Sequence, residues 1–277
     1  MFKRTITALV GIAIFVPICI FSATHLFTVA VTACALIAIY EMTSCVRMKK
    51  HLSLTIPVYT AVLISPICVR LIGDHGKFIV MYSAMMFLLL IYFFAVSVFT
   101  KGKYRLEEAS ILYVTSIYIL TSFCSIMLLR DMPNGKYIYL LAIAGPWVSD
   151  IFAYLCGRAF GKHKLIPHVS ANKTVEGCIG GILFCGISFM LYGFIVSIFF
   201  NAAPEYPALL IAGFLVSGIA QVGDLIASLI KRQYDIKDYG NLFPGHGGVM
   251  DRFDSVIATA PFLLIICSIP NVFTLFF

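Results

Sequence analysis

Residues 243 to 254, FPGHGGVMDRFD, place three glycines, a histidine, an arginine and two aspartates in twelve positions of a chain that is 61% hydrophobic. Asp251 and Asp254 offer hard oxygen ligands, Arg252 offers a fixed cation, and Gly245, Gly247 and Gly248 let backbone amides approach a phosphate closely. The segment that leads into this stretch, GIAQVGDLIASLIKRQYD, reads as a helix. At 100° per residue, Gln221, Asp224, Ser228, Lys231, Arg232 and Asp235 fall within an arc of about 100°, forming one polar stripe. A third group has the same character: Asp150, with Tyr154 and Arg158 four and eight residues on, lies along one helix face, followed by Lys162, Lys164 and Lys173.

Each of these has a plainer reading. Asp254 or Ser255 can cap the helix that follows, Gln221 and Ser228 can bond that helix to a neighbour, and Asp150 with Arg158 can form a structural ion pair. Asp224 is harder to explain that way, because a carboxylate in a bilayer is costly without a cation beside it. A cap also needs only one of Asp251 and Asp254. Carboxylates with no Cys or paired His near them suit a hard cation such as Mg²⁺, bound through one or two carboxylates plus substrate phosphates. The lysines and arginines of the same segments, Lys237 among them, suit polyphosphate oxygens. His163 and His246 lack metal-ligand spacing, and His246 offers at most a hydrogen bond to phosphate. There is no GxxxxGK[ST], no GxGxxG after a strand, and no Ser/His/Asp or Cys/His arrangement identifiable by spacing. The residues therefore point to a Mg²⁺-dependent site for a phosphate-rich ligand and leave the reaction open.

The elements that must position these residues are membrane helices. Mean hydropathy is +0.98, only 12% of residues are charged, and apolar runs of about twenty residues recur from end to end. The alternating decapeptides of an outer-membrane barrel are absent, so the expected fold is an all-α, polytopic integral membrane bundle of about nine transmembrane helices. Their expected positions are near residues 5–21, 26–46, 54–73, 78–99, 109–129, 137–156, 178–200, 207–230 and 255–275. The first run could be a secretory signal, but no clear small-x-small cleavage site follows it, and a retained helix is expected. On this frame sixteen of the twenty Lys and Arg residues fall on one side, Lys3, Arg4 and Lys101 among them. The amino terminus and the loops after the second, fourth, sixth and eighth helices are therefore expected in the cytoplasm. Loops 157–177 and 231–254 share that face. The chain is expected to divide into helices of residues 1–136 and a catalytic region of residues 137–277. Nine scattered cysteines without a CxxC pair read as packing residues.

SLIKRQYDIKDYGNLFPGHGGVMDRFD, residues 228–254, resembles the signature of the phosphatidate cytidylyltransferases, or CDP-diacylglycerol synthases. Ser228, Lys231, Arg232, Lys237, Asp238, Gly240, His246, Gly247, Gly248, Asp251, Arg252 and Asp254 occupy its twelve fixed places. DIFAYLCGRAFGKHKLIPHVSANKTVEG, residues 150–177, is similar to a second family segment, with Asn172 where a lysine is usual and Val175 where a tryptophan is usual. The amino-terminal half matches only as a set of apolar helices.

The resemblance implies transfer of CMP from CTP to phosphatidic acid, releasing pyrophosphate and leaving CDP-diacylglycerol in the bacterial cytoplasmic membrane. It implies Asp224 and Asp251 as ligands of Mg²⁺, one ion or two, with a monovalent cation allowed. Lys231, Arg232, Lys237 and Arg252 are then expected on the CTP phosphates, and Arg158, Ser170 and Lys173 at the phosphatidate headgroup. Ser228, Asp238, His246, Gly247, Gly248, Asp254 and Asp150 complete the expected substrate site. Membrane lipids are expected partners, a homodimer is compatible with the family, and nucleic acid is not expected. Two other readings differ in outcome: a CTP-dependent polyprenol or phytol kinase would release CDP, and a lipid transporter or scramblase would move substrate without consuming CTP.

Overall fold

Long apolar runs in a bilayer have one simple way to satisfy every backbone N–H and C=O, which is to coil. The computed structural model describes residues 2–100, 103–269 and 273–277. Lys101, the side chains of Lys3 and Arg4, and residues 270–272 of the ninth expected span lie outside the described residues. The helices are α1 (Phe2–Ile20), α2 (His25–Cys45), α3 (Leu52–Ile72), α4 (His75–Phe99), α5 (Leu106–Asp131), α6 (Gly135–Phe160), α7 (Val175–Phe200), α8 (Tyr206–Gln233), a single turn α9 (Met250–Phe253) and α10 (Val256–Ser268).

The chain is thus an integral, multi-pass, helical membrane protein. Among the described residues seven helices, α2 to α8, are long and apolar enough to cross a bilayer. Of the two remaining expected spans, α1 has 19 residues, and α10 has 13 where roughly 20 are needed. Large apolar side chains stand exposed along the spanning helices, with Leu71 at 75% and Phe99 at 83% exposure, as lipid-facing surfaces require. All nine cysteines are free.

Two local departures from the sequence reading concern the loops. Residues 157–177 contain a small antiparallel hairpin, β1 (Lys164–Ile166) with β2 (Ser170–Thr174), pairing Lys164 with Thr174 and Ile166 with Ser170. Helix α8 runs on to Gln233 and then stops, and Asp235 has a left-handed φ of 54°. Asp235 therefore leaves the polar stripe, which ends with Arg232.

Contacts gather the chain into two compact units, residues 1–128 with 234–253, and residues 129–233 with 254–277. In the first, α2 packs on α3 and α3 on α4. Helix α5 is tied to α4 through the Tyr113 hydroxyl, which donates to the Met86 carbonyl at 3.0 Å, and through Tyr82 and Thr121 at 2.7 Å. Arg70 of α3 donates to the Ser22 and Thr24 carbonyls between α1 and α2. In the second unit α6, α7, α8 and α10 pack together. Its buried polar bonds include Ser149 with Ser217 at 2.6 Å, and the Thr259 hydroxyl donating to the Ala142 carbonyl at 2.9 Å.

Helices α7 and α8 approach each other closely. A Cβ on Gly213 would lie 2.6 Å from the Gly186 Cα, so the two backbones meet without side chains between them. Gly213→Ala is expected to force α7 and α8 apart at a cost of about 1–3 kcal/mol. A thermal melt in detergent checks this; an unchanged midpoint would show that the contact is not tight.

Candidate functional site

In the second unit, the last turns of α6 carry Asp150, Tyr154 and Arg158 into the wall of one cavity of about 400 Å³. The face expected from the spacing of four and eight is therefore formed. Asn172, Lys173 and Thr174 of β2, Gly177 and Cys178 of α7, and Gln221 of α8 line the same cavity. The hairpin is held in place by the start of α7. The Thr174 hydroxyl oxygen accepts from the Gly177 amide at 3.2 Å, and Glu176 accepts from the Lys162 amide at 3.1 Å and lies 2.6 Å from the His163 ring nitrogen. These bonds fold residues 162–174 back over the end of α6, which carries Lys173 to the cavity.

Lys173 Nζ lies 2.5 Å from Asp224 Oδ2, and the Ser228 hydroxyl is 3.5 Å from Asp224 Oδ1. The countercharge that a carboxylate on α8 needed thus comes from β2. Gln221 donates to the Cys178 carbonyl at 3.1 Å, the helix-to-helix bond weighed for it above. Asp254 is half-buried, and its carboxyl is pushed up to about 7, first by burial and then by the nearby Asp224 carboxylate, with Asp150 adding to the effect and Lys231 opposing it. Asp150, Asp224 and Asp254 therefore share one electrostatic neighbourhood.

The capping expectation for Asp254 and Ser255 is not met. Ser255 holds the cap position of α10 without a side-chain cap bond, and Asp254 accepts from the adjacent Ser255 amide at 2.8 Å. At the end of α8, Lys231 is half-buried and Arg232 exposed; Ser170 is half-buried at the start of β2.

The first unit holds the loop that ends in α9. Gly245 and Gly247 have φ of 77° and 80°, and the chain turns back so that the Phe243 amide donates to the Gly247 carbonyl at 2.8 Å. At Gly247 a Cβ would also lie 2.7 Å from Asp251 Oδ2, so both conformation and space call for glycine. Asp251 is only 7% exposed. Its Oδ2 accepts from the Tyr239 amide at 2.8 Å and the Gly248 amide at 3.0 Å, closing the loop from both sides. Of the amides expected to face phosphate, that of Gly248 is therefore directed at Asp251. Lys237, Asp238 and Arg252 are exposed, and His246 Nδ1 is buried with no hydrogen-bond partner among the described residues.

Glu41 of α2, which the sequence reading passed over, also belongs to this loop. Its two carboxylate oxygens accept from the Val249 amide at 3.0 Å and the Met250 amide at 2.8 Å. The available signal was an ionisable residue inside an apolar run, which in a membrane marks a site by default.

Asp224 belongs to the second unit and Asp251 to the first. Among the described residues no group of three or more His, Cys, Asp and Glu side chains converges in metal-holding geometry. Mg²⁺ needs only one or two carboxylates beside phosphate and water, and a carboxylate has about four acceptor sites, so the oxygen-only chemistry of these aspartates fits it.

Residues 2–270 match the cytidylyltransferase family. The chain is 34% identical over 265 residues to a phosphatidate cytidylyltransferase of Staphylococcus haemolyticus, covering 95% of this chain and 97% of that protein. It is 33% identical over 244 residues to a phosphatidate cytidylyltransferase of Bacillus subtilis, covering 86% and 87%.

The raised Asp254 carboxyl sets a pH dependence. The folded protein holds this proton more tightly than the unfolded chain does, so between the ordinary 3.8 and about 7 it carries more protons, and stability falls as pH rises through that window. Metal-free protein in detergent is expected to lose melting temperature from pH 5 to pH 8 more steeply than Asp254→Asn. Parallel profiles would show that Asp254 does not titrate there.

Proposed function

This chain belongs to the cytidylyltransferase family, and we propose that it transfers CMP from CTP to phosphatidic acid, giving CDP-diacylglycerol and pyrophosphate, at the cytoplasmic face of the membrane that it spans. The observation that carries the reading is the cavity at the end of α6. It sets two cations, Arg158 and Lys173, against Asp150, with Asp224 on Lys173, at the end of a bundle of apolar helices. That is a setting for a lipid phosphate whose acyl chains remain among the helices. The full-length likeness to phosphatidate cytidylyltransferases supports the same substrates.

The nucleophile is an oxygen of the phosphatidate phosphate, which is already anionic at pH 7. It attacks the α-phosphorus of CTP; a new P–O bond forms while the bond to the departing pyrophosphate breaks, and the electron pair leaves with the pyrophosphate. No proton has to be removed, so the work consists of holding two anions in line and offsetting the charge that develops on the leaving group. Arg158 and Lys173, with the Ser170 hydroxyl, hold the headgroup. Lys231 and Arg232 of α8, and Lys237 and Arg252 of the loop, bind the CTP phosphates, and the buried Nδ1 of His246 gains a partner from the nucleotide. Asp224 and Asp251 are each a proposed Mg²⁺ ligand, to one ion or to two, and Mg²⁺ when bound would neutralise charge on the phosphates of the leaving group. The Tyr239 and Gly248 amides orient the Asp251 carboxylate for that role.

With protein purified in detergent, phosphatidic acid, Mg²⁺ and CTP labelled at the α-phosphate, label is expected to enter the lipid phase with matching pyrophosphate release. Asp251→Asn should lower that transfer by about a hundredfold or more. Release of CDP in place of pyrophosphate would establish a kinase, and normal turnover of Asp251→Asn at limiting Mg²⁺ would remove Asp251 from the metal role.

The orientation rests on the charge asymmetry of the loops. Reporter fusions at the loop around Lys231 are expected to report the cytoplasm; an external signal there would reverse the topology.

A further inference from the structure

We propose that Glu41 is a positioning residue for the reaction, holding the start of α9 so that Asp251 is fixed in its working place. The catalytic consequence rests on the reading given above; the contact itself does not.

The first amides of any helix lack partners inside it, and in a single turn such as α9 no later turn compensates. Val249 and Met250 enter α9, and their amides are met by a side chain more than two hundred residues away in sequence. Glu41 gives one oxygen to each, at 3.0 and 2.8 Å, and is 4% exposed. Hydrogen bonds to an ionised acceptor are among the strong ones, and one amide per oxygen fixes direction as well as distance. Gly248, Val249 and Met250 thus hand three consecutive amides to two carboxylates, Asp251 taking the first and Glu41 the next two. With 249 and 250 held, the backbone of Asp251 has little freedom left, and its side chain is then held by Tyr239 and Gly248.

The fit around Glu41 is close. A Cβ on Gly240 or on Gly248 would overlap its carboxylate, so both strands of the loop pass directly against it. Placing an acid four residues from the end of an apolar helix is costly unless it serves such a purpose. The outer partners of metal-ligating carboxylates typically change metal affinity or activity by about 10–100-fold when replaced.

Hydrogen exchange of the full-length protein in detergent without metal, read peptide by peptide, tests the contact. Glu41→Gln keeps the shape but turns an NH₂ toward an amide donor, removing one of the two bonds. Peptides covering residues 239–253 are expected to exchange about tenfold faster, while those of α3 and α4 keep their rates. In the transfer assay the Mg²⁺ concentration for half-maximal rate should rise about tenfold, with the KM for phosphatidic acid unchanged. Gly240→Ala, which crowds Glu41 without removing it, should move both readings the same way by less, and it carries the test if Glu41→Gln does not fold. Unchanged exchange in residues 239–253 in a folded variant would overturn the proposal. So would faster exchange with an unchanged Mg²⁺ requirement, which would leave Glu41 as a packing contact. If the wild type transferred no CMP, the reaction assigned above would fall, whereas the exchange comparison would still decide whether Glu41 holds this segment.

Discussion

A carboxylate inside an apolar bundle persists only where a cation or a set of N–H donors faces it. Each unit solves this differently, and much of the local structure follows from the solution. In the second unit Asp224 is met by the Lys173 ammonium, and the hairpin, the Glu176 bonds and the Thr174 cap together bring that lysine to it. In the first unit Glu41 and Asp251 are met by backbone amides, and the loop takes the course that delivers those amides. Phosphate chemistry at a membrane surface needs retained charges of both signs, and these two arrangements keep acids and bases available without leaving either bare.

Much of this was legible in the sequence, and the limits have physical causes. Apolar runs of about twenty residues have one stable form in lipid, so the helices and the all-α class could be read directly, as could the face shared by Asp150, Tyr154 and Arg158, which depends only on helical period. The ends of elements were harder. Whether α8 stops at residue 230 or 233, and whether Asp235 stays on the stripe, depends on a backbone turn rather than on composition. The hairpin at residues 164–174 was missed because KLI and SANKT carry no alternating pattern of useful length.

The roles of side chains were least legible where the partner is backbone. Asp254 looked like a helix cap because Asp and Ser before an apolar run usually are caps, yet the chain enters α10 without one. Asp251 was singled out as a ligand, and its tie to Tyr239 and Gly248 could not be foreseen because amide donors carry no side-chain signature. Glu41 lies far from the signature in sequence, and only the fold brings the two together.

That asymmetry bears on how the loop can vary. Its shape is written in two acceptors, Glu41 and Asp251, while the four donors, at Tyr239, Gly248, Val249 and Met250, are supplied by the peptide backbone. Any amino acid except proline brings such a donor, so hydrogen bonding alone sets little constraint on side-chain identity at 239, 249 and 250. The information that specifies the loop is concentrated in a few positions and diluted in the rest. Positions 239, 249 and 250 could therefore drift widely while the geometry that Glu41 and Asp251 impose passed unchanged from one sequence to the next.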